Sequence, residues 1–450
     1  MANEKYLEVF RKLVKLYMEG KLEEEIGNIS VEDMDEDMLR QYIIAALGQS
    51  EAEDTDIKSI AKKALEEYST EDDYGSVISI AKECTECTDG DKEPRCVHSC
   101  PFDALFKDNE TKSIRLNKDN CIGCGDCIDA CSHGKIVDKI EYLPIAAVLN
   151  TDKPVYAAVA PAYVGQFGED VTPGKIRTAL KMLGFKDLIE VAIFADIISI
   201  KEAVEFNNLV KSEDDFMITS CCCPIWMALL KKNYEKLYKH VTPSVSPMIA
   251  AGRVMKKIDE GCKVVFIGPC IAKKSEAKEK DIAGAIDYVM TFDELNEVFK
   301  ALGINLKDID EEISDCATRG GMIYARVGGV SECIESTVDM LYPRKVVHLK
   351  SAQGNGIKEC KVLLNKALDG KLSVNFLEGM ACIGGCVGGP KAVVDKEIGK
   401  KMVDKYASEV LYETPVESPC VLKILQAIGI DSLNELKEKN EKSAIFIRNL

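Results

Sequence analysis

The sequence of 450 residues has no run of 18 uninterrupted apolar residues, so it offers no candidate for a transmembrane helix. Its opening, MANEKYLEVFRKL, is charged throughout and lacks the apolar core of a signal peptide, which predicts a cytoplasmic chain. Basic side chains are in the minority. Against 75 Asp and Glu there are 58 Lys and Arg, and the net charge of −17 argues against nucleic acid or membrane as the main partner. Histidine is scarce, present only as His98, His133, His240 and His348, so a bound metal would have to be held by other ligands. With 46% hydrophobic and 30% charged residues the composition is that of a globular protein, long enough for about three domains.

What the sequence has in excess is cysteine, nineteen in all. An odd number of thiols in an apparently reducing compartment does not read as a disulfide scaffold. Thiols this clustered read as metal ligands, and thiolates without imidazole favour iron–sulfur over zinc chemistry.

Three regions follow from the pattern. Residues 1–80 are acidic and cysteine-free, and KYLEVFRKLVKLYMEGKLEEEIG and IKSIAKKALEEY repeat apolar residues at helical spacing, predicting a helical segment. Residues 81–141 hold eight cysteines between turn residues. From 142 to 450, strand-like runs (PVYAAVAPAYV, DLIEVAIFAD, DDFMITS, KVVFIGP, DYVMTF) alternate with helical patterns such as PGKIRTALKMLG and FDELNEVFKALG, and the end of the chain is again helical. That alternation predicts an α/β domain with parallel or mixed sheets flanked by helices. Its cysteines fall where strands end, the edge on which open α/β sheets place their sites.

The first cysteine run is Cys84-x2-Cys87-x8-Cys96-x3-Cys100-Pro101, and the second is Cys121-x2-Cys124-x2-Cys127-x3-Cys131. A tight run wraps three corners of a [4Fe–4S] cube and receives its fourth ligand from the other run. This logic assigns Cys84, Cys87, Cys96 and Cys131 to one cluster, and Cys121, Cys124, Cys127 and Cys100 to the other. The segment resembles bacterial two-cluster ferredoxins, a small α+β fold, over roughly 60 residues, with a lengthened loop in the first run that slow growth of loop-closure cost permits. Two such clusters carry single electrons and imply a redox centre elsewhere in the chain.

Three further segments place cysteine beside glycine or proline: TSCCCPIW (219–226), FIGPCIAKKSEA (266–277) and EGMACIGGCVGGP (378–390). In this order they resemble the signature motifs of the [FeFe]-hydrogenase catalytic domain. The resemblance implies a third [4Fe–4S] cube on Cys223, Cys270, Cys382 and Cys386. Cys386 would bridge to a diiron unit bearing CO, cyanide and an azadithiolate. The Cys382/Cys386 spacing would suit one face of a helical turn. Anchoring the triple cysteine on Pro224 and Trp226 makes Cys223 the ligand and Cys222 the proton relay, with Cys221 in place of a common serine. Lys273 matches a lysine that donates to cyanide, and Met380 a methionine packed near the diiron unit.

The segment ADIISIKEAVE (195–205) resembles the family stretch that supplies two relay glutamates, placing them at Glu202 and Glu205, and Thr242 takes a hydroxyl position across a one-residue gap. Four positions depart from the pattern: Gly268 for methionine, Met248 for glutamine, a shortened glycine stretch after Cys386, and Leu209 for a basic residue. Such changes tune a metal's surroundings without removing it. Cys221, Cys262, Cys316, Cys333, Cys360 and Cys420 match nothing and read mostly as small buried apolar side chains. The resemblance implies reversible conversion of protons and electrons to H2, with ferredoxin or another electron carrier as partner. A hydrogen sensor and a non-catalytic iron–sulfur assembly protein are the alternatives, and the oligomeric state, a homodimer included, stays open. An acidic carrier would be repelled by the overall charge unless residues such as Lys92 and Arg95 receive it.

Overall fold

In a computed structural model of the chain, the described residues are 2–49, 56–68, 76–81, 84, 94–220, 222–312, 316–432, 435–436 and 442–448. Cys87, Cys221 and Lys92 lie outside them. The chain divides into two compact units: one of Met1–Asp152 with Ile271–Ser275 and Asp293–Asn305, the other of Lys153–Cys270, Glu276–Phe292 and Leu306–Leu450.

In the first unit, the helix Ala2–Met18 buries Tyr6, Val9, Phe10, Leu13 and Val14, the one-sided stripe that its spacing predicts. The Tyr6 ring packs 5.0 Å from that of Tyr42 on the helix Glu36–Ala46, whose first turn is capped by Asp35 accepting from the Met38 amide. The Tyr6 hydroxyl also donates to the Asp138 carbonyl at 2.7 Å, tying the helix to a short sheet. Strands β1 (Ile78–Ile80) and β4 (Ile136–Asp138) pair antiparallel, as do β2 (Leu105–Lys107) and β3 (Ile114–Leu116). Lys274 lies buried among Glu294 (2.5 Å), Asp138 (3.4 Å) and the Lys139 carbonyl. A buried ammonium needs such partners. Burial pushes the Glu294 carboxyl up to about 7 although Lys274 opposes the shift.

The second unit is built on parallel sheets. β5 (Val155–Val159), β6 (Asp187–Glu190), β8 (Lys263–Gly268) and β9 (Tyr288–Thr291) form a sheet of order β6-β5-β8-β9. β5 is buried at every position, as expected of a central parallel strand. β7 (Met217–Ile218), β10 (Ser351–Asn355) and β11 (Phe376–Met380) form a second parallel sheet of order β10-β11-β7. Parallel strands put their carboxyl ends on one edge, so the segments after β7 and β11 emerge side by side.

Three features differ from the sequence reading. In DLIEVAIFAD the strand ends at Glu190 and the helix Val191–Leu209 begins, apolar on all sides because it is buried almost throughout. Cys382 and Cys386 are separated by Gly384 and Gly385 at φ +93° and +92°, left-handed values that rule out the expected helical turn. Cys316 and Cys420 are joined as a disulfide rather than packed as separate thiols, while Cys262, Cys333 and Cys360 are buried as expected. Among the described residues no helix is long and apolar enough to cross a membrane.

Candidate metal centre

In the first unit, Cys100, Cys121, Cys124 and Cys127 line one cavity whose other walls include Ile78, Phe102, Leu105 and Leu116. Each cysteine run ends in a short helix, Arg95–His98 or Asp126–Ala130, and Gly125 at φ +92° starts the second. Burial pushes the Cys124 thiol up to about 12 and raises Cys127 further, with neighbouring thiols adding to the latter. Four thiols lining one cavity are a donor set that suits an iron–sulfur cube. Cys84 and Cys96 are buried in the adjoining apolar core beside the half-buried Cys131.

In the second unit, three loops meet through contacts that leave little room for alternatives. Cys223 caps the helix Pro224–Asn233 with Pro224 at its first position. The Trp226 indole nitrogen of that helix donates to the Thr219 carbonyl at 2.9 Å, closing the cysteine loop on itself. Its ring lies so near β11 that a Cβ on Gly379 would sit 2.1 Å from it. The Cys222 thiol faces the Met380 sulfur at 4.0 Å. From the end of β8, the Pro269 carbonyl accepts from the Lys391 amide (3.1 Å), and a Cβ on Gly389 would lie 2.6 Å from that oxygen. The segments carrying Cys223, Cys270, Cys382 and Cys386 are therefore locked together, with all four thiols half-buried.

The loop between Cys382 and Cys386 is fixed by its backbone. The Asn355 side chain accepts from the Gly384 amide (2.7 Å), and the Gly385 amide donates to the Cys382 carbonyl (3.0 Å). At Gly385 a Cβ would meet the Val327 nitrogen at 2.6 Å, so only glycine fits. Cys360, buried behind this loop, directs its thiol to the Gly354 and Met380 carbonyls. Among the described residues no three Cys, His, Asp or Glu side chains gather closely enough for a single ion. A cube takes one thiolate at each iron, on a wider frame.

Beside these loops runs a chain of hydroxyls and carboxyls. Glu202 is fully buried, and its two carboxylate oxygens accept from the hydroxyls of Thr219 and Thr242, both at 2.7 Å. Thr242 is linked to the Ser220 hydroxyl (2.9 Å), two residues before Cys222. Burial pushes the Glu202 carboxyl up to about 7, the Thr219 hydrogen bond opposes this, and the charge of Glu205 adds to it. One turn on, Glu205 accepts from Lys201 at 2.5 Å, and Ser244 stands 2.9 Å from Lys201 and 3.5 Å from Glu205. Glu202, Thr242, Cys222 and Met380 thus lie in one neighbourhood with Glu205 at its far end. Lys273 is buried in the helix Ala272–Glu276 and falls in the first unit, apart from the loops of the second.

Thr219, Ser220, Ser244 and Lys201 were not anticipated as members. Thr219 and Ser220 sit inside the first motif, and Lys201 adjoins Glu202, but a hydroxyl or lysine carries no signal until its partner is known. The departures have physical correlates: a Cβ on Gly268 would lie 2.7 Å from the Phe266 ring, Met248 is buried, and Leu209 is exposed.

Comparison with known proteins finds the family described as iron only hydrogenase large subunit, C-terminal domain, over residues 153–390, and a 4Fe-4S dicluster domain over 83–136. Iron hydrogenase 1 of Clostridium pasteurianum is 30% identical over 401 residues, covering 68% of this chain and 70% of that protein. The NADP-reducing hydrogenase subunit HndD of Solidesulfovibrio fructosivorans is 28% identical, and the alignment covers 66% of this chain but only 60% of the relative. More distant, at 22% identity, is Protein NAR1 of Arabidopsis thaliana, with 70% of this chain and 83% of that protein covered. A solved [FeFe]-hydrogenase superposes with a TM-score of 0.57 at 21% identity, covering 69% of this chain and 98% of the other, a likeness of fold.

Proposed function

Because the chain belongs to the iron-only hydrogenase family, we propose that it catalyses the reversible reaction 2 H⁺ + 2 e⁻ ⇌ H2, with electrons delivered through two [4Fe–4S] clusters from a soluble carrier such as ferredoxin. Cys84, Cys87, Cys96 and Cys131 hold one of these clusters, and Cys100, Cys121, Cys124 and Cys127 the other. Cys223, Cys270, Cys382 and Cys386 would hold the third cube, with Cys386 also serving a diiron unit that would supply the H–H chemistry when bound. Met380 would pack near the diiron unit, and Lys273 is the lysine that the resemblance assigns to a cyanide ligand.

The protein's own part is to move protons and exclude water. Glu202 is the observation that carries this reading: a carboxyl with no exposure, held by two hydroxyls, titrating near neutrality. A carboxyl with that affinity both accepts and releases a proton at physiological pH, the condition for a relay. Cys222 turns its thiol to the Met380 sulfur, and the Ser220 and Thr242 hydroxyls, each donor and acceptor, connect its loop to Glu202. Glu205 opens the chain towards solvent.

A relative at 21% identity, the cytosolic iron-sulfur assembly component 3 of Rattus norvegicus, supports a second reading, a non-catalytic iron–sulfur assembly protein. The hydroxyl chain that joins Glu202 through Thr242 and Ser220 to the loop of Cys222 favours the enzyme. The departures at Gly268, Met248 and Leu209 support a third reading, a hydrogen sensor of low turnover. The test is H2 evolution from a reduced dye by anaerobically matured protein, parent against Glu202→Gln. Rapid evolution that collapses in the variant supports the enzyme. Absence of evolution with the diiron unit fully loaded overturns it.

A further inference from the structure

The third cysteine motif opens on Glu378, a residue with no task in the reading above. It lies on β11, four residues before Cys382, and is only 1% exposed. A carboxyl so buried is costly unless donors hold it. One of its oxygens accepts from the Gly328 amide at 2.8 Å. The other accepts from the Ser331 amide at 2.8 Å and the Ser331 hydroxyl at 2.6 Å. Gly328 and Ser331 stand at the start of the helix Gly329–Leu341, where amides lack partners within the helix and the dipole favours an anion. The Ser331 hydroxyl also accepts from the Gln353 side chain on β10 (3.2 Å), so the link joins two strands to one helix.

The backbone just ahead of that helix clasps the cluster loop. The Ala325 carbonyl accepts from the Val387 amide (2.9 Å), and the Val327 amide donates to the Gly384 carbonyl (3.1 Å). Between these two bonds, Gly385 presses on Arg326 so closely that a Cβ would lie 2.7 Å from the Arg326 carbonyl carbon. Residues 325–327 therefore grip the loop on both sides of Cys386. We propose that Glu378 is a positioning residue for the cube of the second unit: by fixing the start of the helix it holds this grip against the Cys382–Cys386 loop, and so sets where the Cys386 sulfur stands and how much water reaches it. This rests on the reading of these cysteines as cube ligands, but not on the hydrogen chemistry.

The test uses the full chain carrying its [4Fe–4S] clusters but no diiron unit, so turnover plays no part. The paramagnetic resonance signal that Cys382→Ala removes identifies the cube of the second unit. In Glu378→Gln, which keeps the size of the side chain but turns an amide group on its donors, that signal should move to a more positive midpoint potential. A loosened loop admits water to the sulfurs, and both solvent access and lost negative charge favour the reduced cube. The ferrozine concentration that strips half of this cube should fall by roughly 10–100-fold, the usual cost of removing an outer partner of a metal ligand. The clusters of the first unit keep their potentials. Ser331→Ala removes one donor of three and should shift both readouts the same way by less. A Glu378→Gln protein that melts lower yet keeps the parent's potential and ferrozine resistance overturns the proposal, because a bolt of the fold alone would do that. If Glu378→Gln does not fold, Ser331→Ala decides: a positive shift of the second unit's cube supports the proposal, and the parent's potential overturns it. Were the chain to prove inactive in H2 evolution, the cube would still report on Glu378, so the two readings fail separately.

Discussion

Cys222 holds its backbone at φ +67°, a left-handed conformation that a residue with a Cβ adopts at a cost of about 1 kcal/mol. Strain kept at one residue of a cluster-bearing loop points to a position chosen for its thiol. Cys222→Gly should therefore melt no lower than the parent, and by about 1 kcal/mol higher than Cys222→Ala. Both variants should lose roughly 10²–10⁴-fold in H2 turnover with cluster content unchanged. Thermal melts and dye-linked assays on the same preparations check this. Glu202 makes an opposite use of its environment. Its folded-state proton affinity lies well above that of an unfolded glutamate, so the folded protein binds more protons between about pH 4.3 and 7 and loses stability as pH rises through that window. Glu202→Gln escapes this loss. Denaturant unfolding should show its stability relative to the parent rising from pH 5 to pH 8, and a flat difference would refute the assignment. At this scale the cysteines and Glu202 were legible because spacing and motif context mark them. Thr219, Ser220 and Lys201 were not, because their partners lie 17, 22 and 43 residues away, or a turn along the same helix.

Elements place these residues. The ends of β7 and β11 emerge together because the strands are parallel and paired, and Gly379 lets Trp226 close over them. Gly379→Ala would drive a methyl into the indole, so we expect a loss of about 1–3 kcal/mol from overpacking and a lower iron content of the second unit's cube, read by melting and iron analysis. The buried Lys274 makes a parallel case in the first unit. Lys274→Met leaves Glu294 and Asp138 buried without their cation and should cost about 3–5 kcal/mol. β5 and β8 were legible as dense apolar runs. β10, with the sequence SAQGN, was not, since its strand character comes from pairing with β11 rather than from propensity. The first part of the helix Val191–Leu209, inside the strand-like run DLIEVAIFAD, hid for the reverse reason: burial on every side erases the periodicity that would announce it.

For the whole molecule, the net charge of −17 would set the terms on which the proposed electron carrier arrives. Reduction by an acidic ferredoxin should accelerate as ionic strength screens the repulsion, whereas a cationic dye should slow, and stopped-flow reduction at several salt concentrations separates them. Two compact units, one carrying eight cysteines in paired runs and the other three convergent loops, fit a division between electron delivery and proton chemistry. The account stands on those three loops building a pocket for a diiron unit beside the Glu202 chain. An infrared spectrum of anaerobically matured protein tests this most directly. The account predicts sharp bands of metal-bound CO and cyanide, lost in Cys386→Ala. A spectrum without such bands, in protein whose three cubes are fully loaded, would contradict it.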